Sequence, residues 1–327
     1  MRKTIFFLLC LAGIVMFSCA KDVSIGDPYP IRSDYPLPQG DASQVANDKI
    51  KAIFDKYESY VLYEYTQKDF EWTPASGSSA GFPITADKTD PKNVEAVVRF
   101  IDNGWLKFIP DDLLKDKWLP YRVFIADTIK QARTPGGYSP SQRNPLYYPS
   151  KVTGMSLGFA DAYRIVNMTH EQAVVEKNKM QLIVWNYYFD KGLCDLSPLY
   201  DQFIELSNYA SGTGYNAPDE TVYERGFAPH LMISTTTTFN FTVEVIFALV
   251  KTTWHNYMYS WQTPQTHVGN DVKGFIFFMT QKTAAELQPI FEQYPLFKQK
   301  YDIVRNYMLS TYGIDPQLIG NANADFN

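Results

Sequence analysis

An apolar segment in the second half of the chain constrains the fold most. Residues 180–192, MQLIVWNYYFDKG, have the composition of a helix and carry only two charges, both near the C-terminal end. A helix that is hydrophobic on all sides is buried on all sides, whereas the other predicted helices of this chain have a polar face. The fold must therefore enclose this segment at an apolar, closed centre. Whether the segment also carries chemistry is a separate question.

The first residues predict export and a lipid anchor. Arg2 and Lys3 precede an uninterrupted apolar run over residues 5–17. That run is shorter than the roughly 20 residues that a membrane-spanning helix needs, and it fits a secretory signal. Residues 16–19, MFSC, fit a relaxed bacterial lipobox, in which the cysteine becomes lipidated and N-terminal after cleavage. We therefore predict lipidation at Cys19; an ordinary secretory signal or an N-terminal anchor is the alternative.

The cysteines leave no internal disulfide to stabilise the mature chain. Of the three cysteines, Cys10 lies in the signal and Cys19 is the predicted lipid site, so the folded part keeps only Cys194. A lone cysteine can act as a nucleophile, but a free cysteine is more often a small buried hydrophobe. We expect the second role for Cys194.

The charge balance argues against nucleic acid as a partner. The chain has 30 Lys and Arg against 35 Asp and Glu. Non-specific nucleic-acid binding depends on basic residues that release counterions, and this chain has no excess of them.

The chain is expected to contain one folded domain behind a tether. Residues 1–18 are the predicted signal peptide, and residues 19–45 hold the lipidated cysteine and a proline-rich segment without hydrophobic period, typical of a semi-rigid tether. Residues 46–320 form the predicted domain, and residues 321–327 a flexible tail.

Periodicity places strands early and helices late. Strands are predicted over residues 60–65 and 121–129 and in pieces from residue 154, with a long loop over residues 73–91. The predicted helices are one beginning near Ser43, one over residues 93–102, one capped by Asn167 or Thr169 that continues into the apolar segment, and others over residues 197–206, 239–254 and, as a pair, 283–313.

Histidines and acids give weak candidates for a metal site. A zincin helix needs two histidines at i and i+4, with a glutamate after the first as general base. His170 and Glu171 begin that pattern, but Val174 stands where the second histidine is required. His230 and His255 could meet in space, although scattered histidines are more often structural.

Several phrases resemble one family. The relaxed lipobox, the proline-rich tether, the strands VLYEY and YRVFIAD, the segment GMSLGFADAYRIV, the apolar central helix, RGFAPH and the closing YDIVRNYMLSTYGID follow each other in a familiar order. Together they resemble the zinc metallopeptidase lipoproteins, also called substrate import-associated zinc metallohydrolases, of glycan-foraging bacteria. The resemblance covers about residues 48–318, and it lies in element order and short phrases.

The family resemblance implies a zinc helix that this chain lacks. In that family the central helix carries a His-Glu-x-x-His motif, and the resemblance places Trp185, Asn186 and Phe189 at the first histidine, the glutamate and the second histidine. Tryptophan and phenylalanine have no lone pair for zinc, and asparagine cannot act as a carboxylate base. The resemblance thus implies a degenerate zinc helix; the alternative is a buried helix of an unrelated fold.

A second motif of the family is also altered. A Gly-Phe pair matches Gly226 and Phe227, and the acidic phrase that follows it in the family is replaced by FNFTVE. The degenerate positions of that phrase are Phe239, Asn240 and Glu244. No cofactor is expected, and zinc remains an alternative at His170, Glu171, His230 or His255.

The resemblance implies an α+β fold, a single zincin-like domain whose early, mostly antiparallel sheet packs on a later helical half. It implies a non-catalytic lipoprotein, a pseudoenzyme anchored in the outer membrane on the cell surface or periplasmic face, which assists capture or import of a glycan or peptide. Its expected partners are the membrane, an outer-membrane import complex and that ligand. The alternatives are an active hydrolase with a non-standard metal site or none, and a structural partner of an outer-membrane transporter.

Overall fold

In the computed structural model, strands lie early in the chain and helices dominate the second half. The structure describes residues 34–70, 84–134, 137–138, 146–147, 156–159, 165–209, 219–228 and 264–326. Leu37–Asn327 belong to one compact unit, and Met1–Pro36 form a separate one. The predicted α+β class, with an early sheet and a later helical half, is confirmed.

The elements follow each other with these bounds. The strands are β1 Tyr60–Leu62, β2 Ile84–Lys88, β3 Arg122–Thr134, β4 Gly137–Tyr138, β5 Leu146–Tyr147 and β6 Ser156–Phe159. The helices are α1 Gln44–Tyr57, α2 Gln67–Phe70, α3 Val94–Gly104, α4 Asp111–Leu113, α5 His170–Asp190, α6 Tyr200–Leu206, α7 Asp219–Glu224, α8 Pro264–Gln281, α9 Ala284–Gln293, α10 Pro295–Tyr312 and α11 Pro316–Asn321.

β3 is the centre of the sheet. It pairs in parallel with β1 and β6 and antiparallel with β2 and β4, and β5 is antiparallel to β6. The expectation of mostly antiparallel pairing therefore holds at the edges, but the three central strands are parallel. Parallel neighbours need long crossover connections, and the chain between β1 and β3 provides one that contains α2, β2, α3 and α4.

A β-bulge interrupts the pairing of β2 with β3. Asp87 lies opposite Thr128 and Lys88 lies opposite Ala126, so Asp127 is an extra residue on β3. β2 lies within residues 73–91, which were predicted to be a loop. That prediction is wrong for Ile84–Lys88. The polar sequence ITADK gave no alternating apolar pattern, and its pairing with the long strand β3 makes it a strand.

The apolar helix α5 is enclosed, as expected. It packs against α3 and α8, and Trp185 and Tyr188 are fully buried on it. The Trp105 indole Nε1 donates a hydrogen bond of 2.7 Å to the Tyr188 hydroxyl, and the Trp118 ring lies 4.4 Å from the Tyr188 ring. Buried aromatic rings thus fill the centre of the fold.

Part of the predicted tether packs on the domain, so the predicted boundary at residue 46 is too late. The Gln39 side chain is buried, its Nε2 donates to the Val61 carbonyl oxygen at 2.6 Å, and its Oε1 accepts from the Tyr63 backbone at 3.0 Å. Ser43 then caps α1, as predicted. The signal and the remaining tether, residues 1–33, lie outside the described residues.

The predicted flexible tail is packed as far as residue 326. Phe326 is 3% exposed, and its ring lies 5.3 Å from that of Phe100. The Asn323 Nδ2 donates to the Gln281 carbonyl oxygen at 2.8 Å. Most of residues 321–327 are small or polar, which is why a flexible tail was predicted. In the structure, Asn323 and Phe326 pack beside α3 and α8.

One helix of the second half, α8, departs from the prediction made from the sequence. α8 was not predicted, because its first half contains glycine, threonine and asparagine without a clear apolar face. The helix predicted over residues 239–254 lies outside the described residues. No described helix is both long and apolar enough to cross a membrane.

Candidate functional site

The N-terminus of α5 is fixed by a capping box, which sets the position of every residue along the helix. The Thr169 hydroxyl accepts from the Gln172 backbone N–H at 3.3 Å, and the Gln172 side chain accepts from the Thr169 N–H at 3.0 Å. The helix runs without a break to Asp190, and Gly192 follows with a φ of +66°. The predicted zinc-helix positions therefore lie in its last two turns.

Trp185 and Phe189 share one face of α5, with their rings 6.0 Å apart. Trp185 is fully buried, and its indole Nε1 has no hydrogen-bond partner within the described ranges. Phe189 is half-buried and lies 5.8 Å from the Phe277 ring. The Asn186 Nδ2 donates to the Leu182 carbonyl oxygen of the same helix at 2.9 Å.

These three side chains do not fit a zinc site. The indole Nε1 is a donor without a free lone pair, the phenyl ring has no donor atom for a metal, and the asparagine amide is engaged with the helix backbone. Lys273 also points its Nζ toward the Phe189 ring, 5.1 Å from the centroid. A cation in that place would repel a metal ion, so no chemical step is derived through zinc here.

The remaining metal candidates are only partly described. His170 is exposed at the start of α5, and its Nδ1 lies 2.9 Å from the Phe326 carbonyl oxygen. The pKa of the exposed Glu171 beside it is lowered, chiefly by the hydrogen bond to its own backbone N–H. Within the described ranges, no group of three or more His, Cys, Asp or Glu side chains could hold a metal ion.

The other candidates stay predictions, because they lie outside the described residues. They are His230 and His255 among the metal candidates, and Phe239, Asn240 and Glu244 in the altered acidic phrase.

Cys194 is a buried thiol. It is 5% exposed, and its Sγ lies 3.9 Å from the Met308 Sδ. Burial raises the pKa of the thiol to about 12, so the thiolate that a nucleophile requires is scarce at neutral pH. This environment favours the packing role over catalysis.

A buried ion pair, which the sequence analysis missed, joins α8 to α10. The Lys300 Nζ donates to the Asp271 Oδ2 at 2.6 Å, to the Tyr209 hydroxyl at 2.8 Å and to the Ser207 hydroxyl at 3.0 Å. The Tyr209 hydroxyl donates to Asp271 Oδ2 at 2.6 Å, and the Ala228 N–H donates to Oδ1 at 3.0 Å. We call these residues the buried ion-pair cluster.

The buried ion-pair cluster is closed to solvent. The Lys300 side chain is 0% exposed and the Asp271 side chain 5%, and the Lys300 Nζ lies within 5 Å of the ring centroids of Phe203, Tyr209 and Phe227. Burial lowers the pKa of Lys300, while Asp271 opposes that shift. Every donor of the ammonium group has a partner, so the cluster fixes chain segments and has no free group for chemistry.

An open cleft at the edge of the sheet is the second feature that sequence reasoning missed. Its volume is about 580 Å³, and it is lined by Lys88, Thr89, Asp90, Lys92, Asn93, Asp127 and Asn167. We call it the polar cleft. The bulge places Asp127 there, and the chain enters α3 and α5 beside it, through Asn93 and Asn167.

The charges of the polar cleft are largely compensated. The Lys88 Nζ lies 2.6 Å from the Glu64 Oε2, and the Lys92 Nζ lies 2.6 Å from the Asp90 Oδ2. The hydrogen bond from Lys92 lowers the pKa of Asp90. Thr89 is 2% exposed, and its hydroxyl has no hydrogen-bond partner in the part of the chain that the structure describes.

Little in the sequence marks either feature. Lys300 lies in a helix that reads as amphipathic, and Asp271 lies in a stretch without a helical pattern, 29 residues away. Asp90 lies in the predicted loop and Asn93 at the start of a predicted helix. In the structure the Asp90 side chain accepts a hydrogen bond from the Lys92 N–H, and Asn93 directly precedes α3. Only the bulge at Asp127 and the fold around α5 bring the polar cleft together.

Comparison with known proteins gives one distant structural neighbour. No protein-family model and no curated protein matches the chain. A crystal structure of a candidate zinc-binding metallo-peptidase from Bacteroides caccae is similar to this chain with a TM-score of 0.43 and 13% identity, covering 88% of this chain and 94% of that one. That similarity assigns no activity to this chain.

Proposed function

We propose that the protein is a non-catalytic, lipid-anchored relative of zinc metallopeptidases that assists capture or import of a glycan or peptide at the outer membrane. The relationship, the import role and the outer-membrane location rest on the sequence phrases that resemble the family. The lipid anchor rests on the signal that ends at Cys19.

One observation carries the non-catalytic part of the proposal. At the positions of the family's two histidines and glutamate, Trp185 is fully buried, Phe189 packs against other rings and Asn186 bonds to its own helix. A peptidase of this kind needs lone pairs on the metal and a carboxylate base beside it. Aromatic packing occupies that region of α5 instead.

The proposal predicts that metal removal has no effect. The full-length protein should contain no stoichiometric zinc by elemental mass spectrometry, and its melting temperature should be the same with and without a chelator. Metal-dependent stability would change on chelation, because a metal that binds the folded state adds its binding free energy to that of folding. A zinc metallopeptidase measured in parallel provides the control.

Bound zinc would contradict the proposal. One zinc per chain, with a melting temperature that falls on chelation, would overturn the non-catalytic proposal. The ligands would then have to include His170, Glu171 or residues outside the described ranges, such as His230 and His255.

A further inference from the structure

We propose that the polar cleft binds a neutral, hydroxyl-rich ligand, such as a short segment of an oligosaccharide. This inference rests on the proposed function for the role of capture, and it adds the place and the chemical class of the ligand. The cleft is separate from the zinc-helix positions of α5, none of which lines it.

The charge of the cleft favours a neutral ligand. Lys88 and Lys92 are each held by a carboxylate at 2.6 Å, from Glu64 and Asp90 respectively. An anionic ligand would gain little from either ammonium group, because a carboxylate already neutralises much of its charge. Asp127 adds a further acidic side chain to the lining, which would repel an anion.

The lining chemistry favours hydroxyl groups over apolar surface. The described lining residues are all polar or charged, and no aromatic or aliphatic side chain is among those that the structure describes there. The amides of Asn93 and Asn167 each offer both donors and an acceptor, while the Asp carboxylates accept. Neighbouring hydroxyls on a sugar ring both donate and accept, so they match such a set. An apolar ligand would leave these groups desolvated and unpaired.

The size of the cleft fits this class. Its volume of about 580 Å³ lies within the range of about 300 to 1,000 Å³ that is usual for small-molecule sites.

Two local features indicate a built site instead of an incidental groove. A β-bulge redirects a side chain, and bulges are common next to functional sites; this one places Asp127 in the lining. Buried hydroxyls nearly always have a partner, but the 2% exposed Thr89 has none among the described residues. The Thr89 Oγ1 is itself closed to solvent, so the side chain has to rotate about its Cα–Cβ bond before a ligand hydroxyl in the cleft can supply that partner.

The test uses the full-length protein and three variants. Thr89→Val removes the hydroxyl at nearly constant volume, Asp127→Asn removes the carboxylate charge, and Asp55→Asn is the matched control on the exposed face of α1, outside the cleft. A glycan array of neutral and acidic oligosaccharides identifies the bound class. Titration calorimetry with the best neutral oligosaccharide then measures the Kd of each protein.

The proposal expects binding of neutral oligosaccharides. Thr89→Val and Asp127→Asn should each raise the Kd about tenfold or more, the usual effect of losing one good polar contact, while Asp55→Asn leaves it unchanged. Thr89→Val should also raise the melting temperature, because it removes a buried hydroxyl without a partner. If Thr89 had only a structural role, Thr89→Val would not both raise the melting temperature and weaken ligand binding.

Three results would overturn the cleft proposal. These are unchanged affinity in both cleft variants, binding of acidic oligosaccharides alone, and no oligosaccharide binding at all. In the first two cases the proposed capture function survives with another site or ligand. In the third, metal content and membrane anchoring still test the proposed function separately, since neither depends on the cleft.

Discussion

At the scale of single residues, Lys177 is the most unusual side chain of α5. It is fully buried, and no carboxylate neutralises it among the contacts of the described chain. Its Nζ donates to the Ile319 carbonyl oxygen and the Asn323 Oδ1, both at 2.5 Å. Burial, with a smaller contribution from Lys107, lowers its pKa to about 7. The folded protein therefore favours the neutral amine.

This shift predicts a pH-dependent effect of Lys177→Met. The folded-state pKa lies below the ordinary value of 10.5, so the unfolded chain binds the proton more tightly. The unfavourable contribution of Lys177 is thus fully present below about pH 7 and is relieved as pH rises toward 10.5. The free energy of unfolding of the native protein, minus that of the variant, should increase by about 1 to 3 kcal/mol between pH 6 and pH 9.

Urea denaturation at each pH measures this difference. Lys115→Met, at an exposed lysine, is the matched control, and its effect on stability should stay nearly constant over the same range. A constant difference for Lys177→Met as well would contradict the prediction, and would show that the buried amine stays protonated throughout.

At the scale of elements, α11 lies in close backbone contact with the end of α8 at Gly320. A Cβ on Gly320 would lie 2.0 Å from the Met279 carbonyl oxygen and 2.2 Å from that of Lys282. The Gln317 Nε2 of the same helix donates to the Lys282 carbonyl oxygen at 2.7 Å. α11 therefore covers the end of α8, where the last carbonyl groups of a helix need partners.

Gly320→Ala should destabilise the protein severely. The methyl group would overlap backbone atoms that cannot turn away, so α11 would have to move, at a cost of about 3 kcal/mol or more. Gly192→Ala is the control, because Gly192 has a φ of +66° but nothing within 4 Å of its Cβ position, which predicts a loss of only about 1 to 2 kcal/mol. Denaturant midpoints measure both; equal losses would contradict the close contact.

Local signals explain which elements could be predicted. Ser43 and Thr169 start α1 and α5, and Gly313 ends α10 in the left-handed conformation, because caps act within a few residues. α8 could not be predicted, since burial of Asp271 depends on Lys300 in another helix. The polar cleft could not be predicted either, because it requires a bulge at Asp127 and segments far apart in sequence.

At the scale of the whole molecule, the compact unit begins at Leu37, well after the predicted lipid site. An extended residue spans at most about 3.3 to 3.6 Å, so the segment from Cys19 to Leu37 allows a reach of about 60 Å. A lipid on the predicted site Cys19 would therefore keep Leu37 within about 60 Å of the membrane surface.

Cys19→Ser should release the protein from membranes. Without the thiol no lipid can be attached at this position. The fraction of protein in the washed membrane pellet and the mass of the mature N-terminus measure the effect. Cys10→Ser, within the apolar run of the signal, is the control and should stay membrane-bound; a Cys19→Ser protein that still sediments with membranes would argue for an uncleaved anchor.

The packing of Phe326 and Asn323 beside α5 also bears on when this protein can fold. Lys177 cannot make its contacts with Ile319 and Asn323 until those residues have left the ribosome. At a usual synthesis rate of about 5 to 20 residues per second, they follow α5 by on the order of ten seconds. The central helix therefore remains incompletely enclosed until the last residues of the chain have been made. If the protein is exported as proposed, the unclosed chain could still be threaded through a translocation channel during that interval.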